Sequence, residues 1–300
     1  MTITVQPVTP GFAAEIGDVD LSGQIDPSGL QAVKEAFATY AVLIFPDQRL
    51  SQDQHLDFAR LFGPLETTIA LFRKDMQLRV RKEFADVSNL NPDNEVWGKE
   101  SRHRMFQMGN RLWHTDSSFK RLPARASLLY ARSIPSIGGH TEFADERAAY
   151  DALSDDMKRR LDALVAEHSI FNSRARLGFT NFSDEERQGM PPVPQVLVRT
   201  IPETGRKSLY LASHAGRIFG LPDDEGRALI DQLIAHATQR QFVYTHRWRV
   251  HDLVIWDDRC TMHRGADFDD LRWKRDMQRA TVCDIANSCE QAGIQIEAAE

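Results

Sequence analysis

The stretch Asp252-Leu-Val-Ile-Trp-Asp-Asp-Arg-Cys-Thr-Met-His263-Arg-Gly265 decides the fold. Its four consecutive apolar residues, Leu253 to Trp256, are typical of a strand that is buried on both faces. Asp257-Asp258 supplies turn-forming side chains, and the residues after the turn favour a second short strand. The sequence therefore predicts a buried strand, a turn and a short strand that ends in the imidazole of His263.

A second stretch, Trp113-His114-Thr-Asp116-Ser-Ser-Phe119, places an imidazole and a carboxylate two positions apart in an apolar-flanked, strand-like run. Alternate side chains of a strand point to the same face, so His114 and Asp116 can bind one ion together. A third ligand from a distant strand would complete a two-histidine, one-carboxylate set. That set leaves three coordination positions open, as non-haem Fe(II) oxygenases require.

Two other pairs have the same spacing. His55 and Asp57 lie in a pattern that predicts a helix over 51–62, and residues two apart on a helix do not face each other. That pair cannot chelate. His140 and Glu142 lie in a predicted strand and could chelate on parity alone. Because most surface histidines are simply solvated, the spacing by itself does not single out one metal site.

Two arginines follow His263. Arg275 comes twelve positions later and Arg279 four after that, at the start of a segment that favours a strand. On a strand the two side chains have the same parity and face the same way. Two guanidiniums near a candidate metal site suit two carboxylates through bidentate pairing. The alternative interpretation is that both are solvated surface charges.

Composition limits the class of protein. The 300 residues suffice for one large domain or two small ones, and 42% hydrophobic residues can supply a core. A formal net charge of −6 and a pI of about 5.9 argue against nucleic acid as the main partner. Three cysteines, an odd number, argue against a disulfide framework. With no signal-peptide pattern and no run of 18 apolar residues, we expect a soluble cytoplasmic protein without a membrane partner.

The pattern of short strands favours a mainly β fold with flanking helices, a sandwich or jelly roll. Helices are predicted near 29–40, 51–62, 145–167 (with a break at Leu153-Ser154) and 222–238. Strands are predicted at 41–45, 86–90, 126–133, 139–144, 195–201, 207–212, 242–248, 252–256, 260–263 and 277–283. His168 falls on the apolar face of the third helix, so it is interpreted as a partly buried helix-end residue rather than a ligand.

No repeat or linker divides the chain, which predicts a single domain over 1–300. The segment 67–110 is long, weakly periodic and charged. One interpretation is a solvated surface loop. The other is a mobile lid over an active site, whose basic residues attract an acidic substrate. The end of the chain, from about 287, is predicted to be a flexible tail.

Four motifs appear in a familiar order and spacing: Asn110-Arg-Leu-Trp-His114-Thr-Asp116-Ser-Ser-Phe, Gly138-Gly-His-Thr141-Glu-Phe-Ala-Asp, Trp256-Asp-Asp-Arg-Cys-Thr-Met-His263-Arg and Arg275-x-x-x-Arg279. In these motifs the chain resembles the Fe(II)/2-oxoglutarate-dependent dioxygenases of the taurine/2,4-dichlorophenoxyacetate (TauD/TfdA) type. Weaker similarity covers most of the chain, and the aryloxyacetate-cleaving branch looks nearest. The resemblance implies a double-stranded β-helix, a cupin-like jelly roll with iron at its open end.

The resemblance also implies cofactors and site residues. The cofactors are Fe(II), the co-substrate 2-oxoglutarate and O2, and no catalytic group beyond the iron centre is implied. The residues it assigns are His114, Asp116 and His263 for the metal, Thr141 and Arg275 for 2-oxoglutarate, and Arg279, Asn110 and His214 for the substrate. Lysines that contact the substrate in the aryloxyacetate pattern fall near Leu71 and Glu95 here. A homo-oligomer is expected from the family.

The function that the resemblance implies is hydroxylation of a small anionic organic acid. The first hypothesis is an aryloxyalkanoate, similar to 2,4-dichlorophenoxyacetate, cleaved to a phenol and a 2-oxo acid with release of succinate and CO2. An alternative within the family is a taurine or alkylsulfonate dioxygenase, because Arg279 suits a sulfonate equally well. An alternative from another class is a non-catalytic jelly-roll protein that binds a metal or a small acid.

Overall fold

The strand predicted over 252–256 is the middle strand of the largest sheet. The structure, a computed structural model, describes residues 3–68 and 78–295. Its strands are β1 Thr4–Thr9, β2 Ala13–Gly17, β3 Val42–Phe45, β4 Phe84–Asp86, β5 Ala124–Ser133, β6 Thr141–Asp145, β7 Val165–His168, β8 Val193–Val196, β9 Val198–Thr200, β10 Lys207–Leu209, β11 Ala215–Ile218, β12 Val243–His246, β13 Leu253–Asp257, β14 Thr261–Gly265 and β15 Asp276–Cys283. Its α-helices are α1 Pro27–Tyr40, α2 Gln52–Arg60, α3 Arg102–Gln107, α4 Glu146–Asp151, α5 Asp155–Leu161, α6 Ile170–Ala175, α7 Asp184–Gly189, α8 Asp223–Ala237 and α9 Ser288–Gln291, with 3-10 turns at Met108–Arg111 and Arg240–Phe242.

The seven-stranded sheet has the order β1-β2-β3-β13-β5-β15-β4. Its neighbours pair antiparallel except β2 and β3, which are parallel. The apolar run in β13 is buried on both faces, as its composition predicts. Leu253 and Ile255 pack into the core formed with α1 and α2, whereas Val254 and Trp256 pack into the core on the other face.

A second sheet, ordered β12-β6-β14, covers that other face. Phe143 of β6 contacts Trp256 of β13, with ring centroids 5.3 Å apart. Side chains with the parity of Trp256 on the large sheet therefore point into the space between the two sheets. This pair of facing sheets with helices outside confirms the predicted mainly β class, and the candidate site lies in the space between them.

The outer helices begin where the sequence supplies caps. The Asp26 side chain accepts a hydrogen bond from the Gly29 amide at 2.7 Å, with Pro27 at the first helical position. Ser51 and Gln54 form the reciprocal capping box of α2. The helices predicted near 29–40, 51–62 and 222–238 are confirmed as α1, α2 and α8. No helix within 3–68 and 78–295 is long and apolar enough to span a membrane.

The helix predicted over 145–167 is wrong in its second half. The break at Leu153-Ser154 separates α4 from α5, and α5 ends at Leu161. Val165–His168 is instead a strand between β8 and β11, and His168 is fully buried. The apolar residues of this segment recur at helical spacing, but strand pairing on both sides overrides that local pattern. His168 is indeed not among the candidate ligands, although it is not at a helix end.

The segment predicted to be a loop or lid, 67–110, falls partly outside the described residues, because 69–77 are not described. From residue 78 onward it contains β4, α3 and part of the 3-10 turn. Arg79 is not a solvated charge, since its side chain is 6% exposed and contacts Asp86 at 2.8 Å and Asp276 at 2.6 Å. This part of the segment packs against β15. Glu95 lies on the surface and pairs with Lys274 at 3.4 Å, while Leu71 lies outside the described residues.

The tail predicted to be flexible from about 287 begins with structure. Asn287 caps α9, and Ser288 and Cys289 are buried. The Ser288 hydroxyl donates to Gln195 of β8 at 2.5 Å and accepts a hydrogen bond from the Val196 amide at 3.0 Å. The start of the predicted tail is held by these polar contacts with β8, which no local sequence pattern predicts. Residues 296–300 are not described.

Candidate active site

Three side chains of the metal-ligand type meet between the two sheets. The backbones of His114 and His263 form an antiparallel bridge, with N-to-O distances of 3.0 and 2.8 Å. The Nε2 atoms of His114 and His263 lie 3.7 and 3.6 Å from the two carboxylate oxygens of Asp116. One ligand atom from each residue lies within 4.8 Å of the others, and all three residues are buried. The structure thus brings together residues that are 149 positions apart in sequence (263 minus 114).

Hydrogen bonds hold the stretch that carries His114 and Asp116. The Thr115 hydroxyl donates to the Leu211 carbonyl at 2.8 Å, and the Asp116 amide donates to Asp258 at 3.1 Å. Ser117 then adopts a φ of 52°, in the left-handed region that non-glycine residues seldom occupy. Such backbone persists only where the surroundings enforce it, so the turn after Asp116 is a fixed feature.

Asp116 is the negative centre of this cluster. Arg279 donates a hydrogen bond to Oδ1, and the Ser127 hydroxyl donates to Oδ2 at 2.8 Å. Burial alone would raise the pKa of Asp116. The positive charge of Arg279, the two neighbouring imidazoles and the Ser127 hydrogen bond together outweigh burial and hold this pKa below its ordinary value. Asp116 is therefore ionised at neutral pH.

The two histidines are neutral at the same pH. Burial lowers the pKa of His114 and holds the pKa of His263 well below its ordinary value. The His114 Nδ1 donates to the Leu112 carbonyl at 2.7 Å, which leaves Nε2 with a lone pair facing Asp116. Two neutral imidazole nitrogens and one carboxylate around a common point fit a divalent transition metal such as Fe(II).

A cavity opens on one side of the cluster; we call it the Arg275 cavity, lined by Leu129, Thr141, Trp256, His263 and Arg275. Arg275 is 8% exposed, and no carboxylate of the described residues lies within ion-pair distance of it. Among the described residues, its guanidinium donates to the carbonyls of Gly139 at 3.2 Å and Val87 at 3.4 Å. Burial lowers the pKa of Arg275 to about 10, so it stays charged at pH 7. A buried cation that has no acidic partner among the described residues suits an anionic ligand.

Thr141 supplies a second donor to this cavity. Its hydroxyl oxygen accepts a hydrogen bond from Trp248 Nε1 at 3.0 Å, which leaves the hydroxyl proton to donate elsewhere. The Gly138-Gly139 turn sets the start of the strand that carries Thr141. Both glycines have positive φ, and a Cβ at Gly138 would lie 2.3 Å from the Asp267 carbonyl oxygen. Only glycine fits this turn without displacing the backbone.

A second cavity, the Phe119 cavity, opens on the other side and is lined by Phe106, Asp116, Phe119, Ile170 and His214. Phe106, Phe119 and Ile170 form an apolar part of its wall, and three arginine side chains, Arg79, Arg174 and Arg279, also line it. The two cavities share His114, Asn110 and Arg279 in their linings. A ligand in either cavity therefore lies beside the candidate metal site.

The three predicted substrate residues are all at these cavities. Arg279 faces both, but in this structure it is bound to Asp116. The Asn110 amide donates to Gln107 at 2.7 Å at the border between the cavities. His214 contacts Phe119 edge-on at 4.9 Å, and its Nδ1 lies 3.0 Å from the Ser173 hydroxyl. Burial, followed by the charge of nearby groups, holds the pKa of His214 well below its ordinary value, so it is neutral at pH 7.

The structure separates the other two pairs with His-x-acid spacing from this site. His55 is buried against the sheet, whereas Asp57 is exposed and pairs with Arg60, so the helical pair does not chelate, as predicted. His140 precedes β6 instead of lying in it, and Glu142 binds Arg264 at 2.7 Å. Within residues 3–68 and 78–295, His114, Asp116 and His263 form the one cluster whose ligand atoms converge on a metal site.

Sequence reasoning missed three residues that support the site. Asp258, taken as turn chemistry, holds the Asp116 amide, and burial followed by the charge of Asp116 raises its own pKa well above the ordinary value. The Ser127 hydroxyl of β5 donates to Asp116. Trp248 donates to Thr141 across 107 positions, a contact that no local pattern indicates.

Comparisons with known proteins agree with this geometry. The family model described as "Taurine catabolism dioxygenase TauD, TfdA family" matches residues 4–281. The chain belongs to this family. Among its relatives, the alpha-ketoglutarate-dependent 2,4-dichlorophenoxyacetate dioxygenase of Cupriavidus pinatubonensis is 44% identical over 286 residues, covering 95% of this chain and 99% of the relative. The (S)-phenoxypropionate/alpha-ketoglutarate-dioxygenase of Sphingobium herbicidovorans is 38% identical and covers 93% of this chain and 94% of the relative.

Solved structures of the TauD/TfdA family support the fold as well. The crystal structure of AAD-2 in complex with Mn(II) and N-oxalylglycine is similar to this chain with a TM-score of 0.88 and 45% identity, covering 96% of this chain and 99% of that one. A taurine dioxygenase from Burkholderia xenovorans is similar with a TM-score of 0.76 and 27% identity, covering 95% and 90%. These findings confirm the family resemblance and the jelly-roll fold that the motifs predict.

Proposed function

We propose that this protein is an Fe(II)- and 2-oxoglutarate-dependent dioxygenase that cleaves an aryloxyalkanoate to a phenol and a 2-oxo acid, with release of succinate and CO2. The observation that carries the proposal is the buried His114, Asp116 and His263 cluster beside a cavity whose buried cation, Arg275, has no acidic partner among the described residues. Two relatives are named for their action on 2,4-dichlorophenoxyacetate and (S)-phenoxypropionate, which supports an aryloxyalkanoate as the substrate.

His114 Nε2, His263 Nε2 and an Asp116 oxygen would hold the iron. Their protonation states suit it, because both imidazoles are neutral and the carboxylate is ionised. When bound, the iron supplies the redox chemistry that couples O2 and the oxidative decarboxylation of 2-oxoglutarate to substrate oxidation. The protein residues around it position the ligands and exclude water from the buried site.

The Arg275 cavity suits 2-oxoglutarate. A five-carbon diacid has one carboxylate and a 2-oxo group at one end, for the metal, and a second carboxylate at the other end. The guanidinium of Arg275 would bind that far carboxylate, and the Thr141 hydroxyl, whose oxygen already accepts from Trp248, would donate a further hydrogen bond. The buried positive charge of Arg275 suits this cavity to a co-substrate that carries a second carboxylate.

The Phe119 cavity suits an aryl group with an acidic side arm. Phe106, Phe119 and Ile170 offer the apolar walls that an aromatic ring needs. Arg279 lies near the metal cluster, where a substrate carboxylate would keep the adjacent carbon within reach of oxidation. One carbon of the substrate lies between the ether oxygen and the carboxylate. Insertion of one oxygen atom into a C–H bond of that carbon gives a hemiacetal, which breaks into a phenol and a 2-oxo acid. Asn110 and His214 border the same space and would orient the substrate.

The proposal is tested by incubating the Fe(II) protein with 2-oxoglutarate, O2 and a panel of acids, and by measuring phenol and succinate together. We expect equal amounts of both products from an aryloxyacetate or aryloxypropionate. Succinate formation that no aryloxyalkanoate accelerates would reject the substrate class. Sulfite release from taurine or another alkylsulfonate would favour the alternative substrate, for which the same Arg279 offers a counter-charge.

The non-catalytic alternative has its own test. Anaerobic addition of Fe(II) and 2-oxoglutarate gives a weak visible charge-transfer band when the diacid chelates the metal. A binder of metal or small acid without turnover would form no succinate in air. Homo-oligomerisation, a cytoplasmic location and the absence of a nucleic-acid partner remain predictions, and gel filtration with light scattering checks the first of them.

A further inference from the structure

Asn89 connects the segment before the metal ligands to the start of β15. Its amide N–H donates to the Arg275 carbonyl at 3.2 Å, and its side-chain oxygen accepts from the Arg275 amide at 2.8 Å. Its side-chain NH2 donates to the carbonyls of Asp270 and Trp273, both at 2.8 Å. Its own carbonyl accepts from the Trp97 amide at 3.0 Å. Asn89 thus uses its backbone and its side chain to hold the residues around Arg275.

We propose that Asn89 is a positioning residue for 2-oxoglutarate, which fixes the place of the Arg275 guanidinium at the far end of the Arg275 cavity. This inference rests on the proposed function, because it presumes that the cavity binds the far carboxylate of the co-substrate. Asn89 acts through Arg275. Although it lines the cavity, both of its side-chain N–H donors are already bound to carbonyls, so it has none left for a ligand.

The way in which Arg275 is held makes such support necessary. Its guanidinium has two long hydrogen bonds, to Gly139 and Val87, and among the described residues no carboxylate clamps it. Arg275 also precedes the regular strand, which begins at Asp276, and the register of β15 shifts between Asp276 and Met277. The backbone of Arg275 is therefore set by Asn89 more than by a strand ladder, and the side chain inherits that placement.

The same contacts link the two walls of the cavity. Beyond Asn89, Arg104 of α3 forms a two-pronged ion pair with Asp270, at 3.0 and 3.1 Å. Asn89 binds the carbonyl of that same Asp270. The wall formed by α3 and the wall that precedes Arg275 are therefore connected through Asp270. Asn89 also accepts a hydrogen bond from the Arg275 amide with its side-chain oxygen.

Two variants test the inference. Asn89→Ala removes the side-chain contacts, whereas Asn89→Asp keeps the size and the acceptor for the Arg275 amide but turns an oxygen toward the two carbonyls. The matched control is Asn91→Ala. Asn91 lies in the same loop and caps it, accepting from the Asp93 and Glu95 amides at 2.9 Å, but it is not part of the cavity lining.

The readout is calorimetric binding of 2-oxoglutarate to the Mn(II)-loaded protein, with 2-oxoadipate, one carbon longer, as a second probe. We expect both Asn89 variants to bind 2-oxoglutarate about tenfold more weakly, with a smaller preference over 2-oxoadipate, at unchanged Mn(II) affinity. Asn91→Ala keeps the wild-type values. A general loss of stability would lower Tm and leave the preference between the two diacids unchanged.

Three results would overturn the inference. The first is 2-oxoglutarate binding by the Asn89 variants within twofold of wild type, with the same preference over 2-oxoadipate. The second is equal weakening in Asn91→Ala, which would make the effect a property of the whole loop. The third is wild-type protein that loads Mn(II) and binds neither diacid. That third result rejects the proposed function itself, so the two failures are distinguishable.

Discussion

The Arg275 cavity and the Phe119 cavity share His114, Asn110 and Arg279, yet the chain builds them differently. In the first, Thr141 lies at the start of β6, Arg275 lies directly before β15, and α3 supplies part of the wall. In the second, α3, α6 and the turn after Asp116 supply the aromatic part of the wall, and β4 with the residues before it supplies another part. Hydrogen bonds with Asn89 fix the backbone of Arg275, whereas short helices that pack on one another form the aromatic wall of the second cavity. The comparison indicates a co-substrate cation that is placed by polar contacts, beside a substrate cavity whose apolar wall is shaped by helix packing.

The largest effect is expected from a substitution of Arg275, which lines the first cavity and not the second. Arg275→Met should weaken 2-oxoglutarate binding by about a hundredfold, because the far carboxylate loses its buried counter-charge. Tm should not fall, since the substitution also removes a desolvated cation that has no acidic partner among the described residues. Calorimetry with the Mn(II) protein and thermal unfolding measure both quantities.

The matched control for that variant is Arg264→Met, on the neighbouring strand β14. Arg264 is partly exposed and bound to Glu142, so its loss should leave 2-oxoglutarate binding unchanged. A large fall in Tm with intact 2-oxoglutarate affinity in Arg275→Met would show that Arg275 is structural and would remove the distinction between the cavities.

The next effect belongs to the substrate side. Arg279→Met should raise the KM for the organic acid by about tenfold or more, because a substrate anion near the metal loses its nearest guanidinium. The KM for 2-oxoglutarate should change by less than about threefold, since its far carboxylate depends on Arg275. Steady-state kinetics with each substrate varied in turn give both values. An equal rise in the two KM values would contradict the assignment of separate anion sites.

A smaller effect is expected at His214. His214→Asn keeps a polar atom near the Ser173 hydroxyl and removes the ring that packs on Phe119. The substrate KM should rise by about threefold, and the change should be larger for aryl substrates than for alkyl ones because ring packing is lost. A panel of acids of equal charge measures this ratio. A uniform change across the panel would contradict an aryl-binding role for the Phe119 cavity.

A last effect concerns stability and lies outside both cavities, so it gives a baseline for them. Burial lowers the pKa of His55 from 6.5 to about 4, so the folded state keeps this ring neutral where the unfolded state takes up a proton. Stability therefore falls as pH drops from 6.5 toward 4, with a slope of about 1.4 kcal/mol per pH unit from this group. His55→Gln, which retains a donor toward the Leu128 carbonyl, should flatten the slope in that window.

Denaturant unfolding at pH 4.5 and pH 7 measures the slope. Ligand binding at pH 7 should be unaltered in His55→Gln, because His55 lies on α2, packs its ring on the large sheet and lines neither cavity. An unchanged pH slope in the variant would mean that other groups dominate the acid sensitivity of the fold.

The sequence predicted much of the Arg275 side and little of the Phe119 side. Period-two spacing predicted that His114 and Asp116 lie together, and they do, although only His114 forms a strand bridge and Asp116 lies in the turn that follows. Parity predicted that Arg275 and Arg279 lie on one side, and both line the cavity, although Arg275 lies before the strand that carries Arg279. The aromatic wall depends on how α3, α6 and α7 pack on one another, and no periodicity in one segment encodes that packing.

The wrong predictions for β7 and for Asp258 have the same cause. The residues that become β7 repeat at helical spacing, and only pairing with β8 and β11 makes them a strand. By sequence alone Asp258 is an ordinary turn residue, whereas in the structure it accepts a hydrogen bond from the Asp116 amide, 142 positions away. Local pattern fixes which way a side chain points, and long-range contact decides what it meets.

Anomalous diffraction from a crystal grown anaerobically with Mn(II) and 2-oxoglutarate would locate the metal and the diacid together. We expect one metal peak at about 2.1 Å from His114 Nε2, His263 Nε2 and an Asp116 oxygen. We also expect the far carboxylate of the diacid on the Arg275 guanidinium and the Thr141 hydroxyl. A metal bound elsewhere, or a diacid that lies in the Phe119 cavity and leaves Arg275 without a ligand, would contradict the proposed metal and 2-oxoglutarate sites.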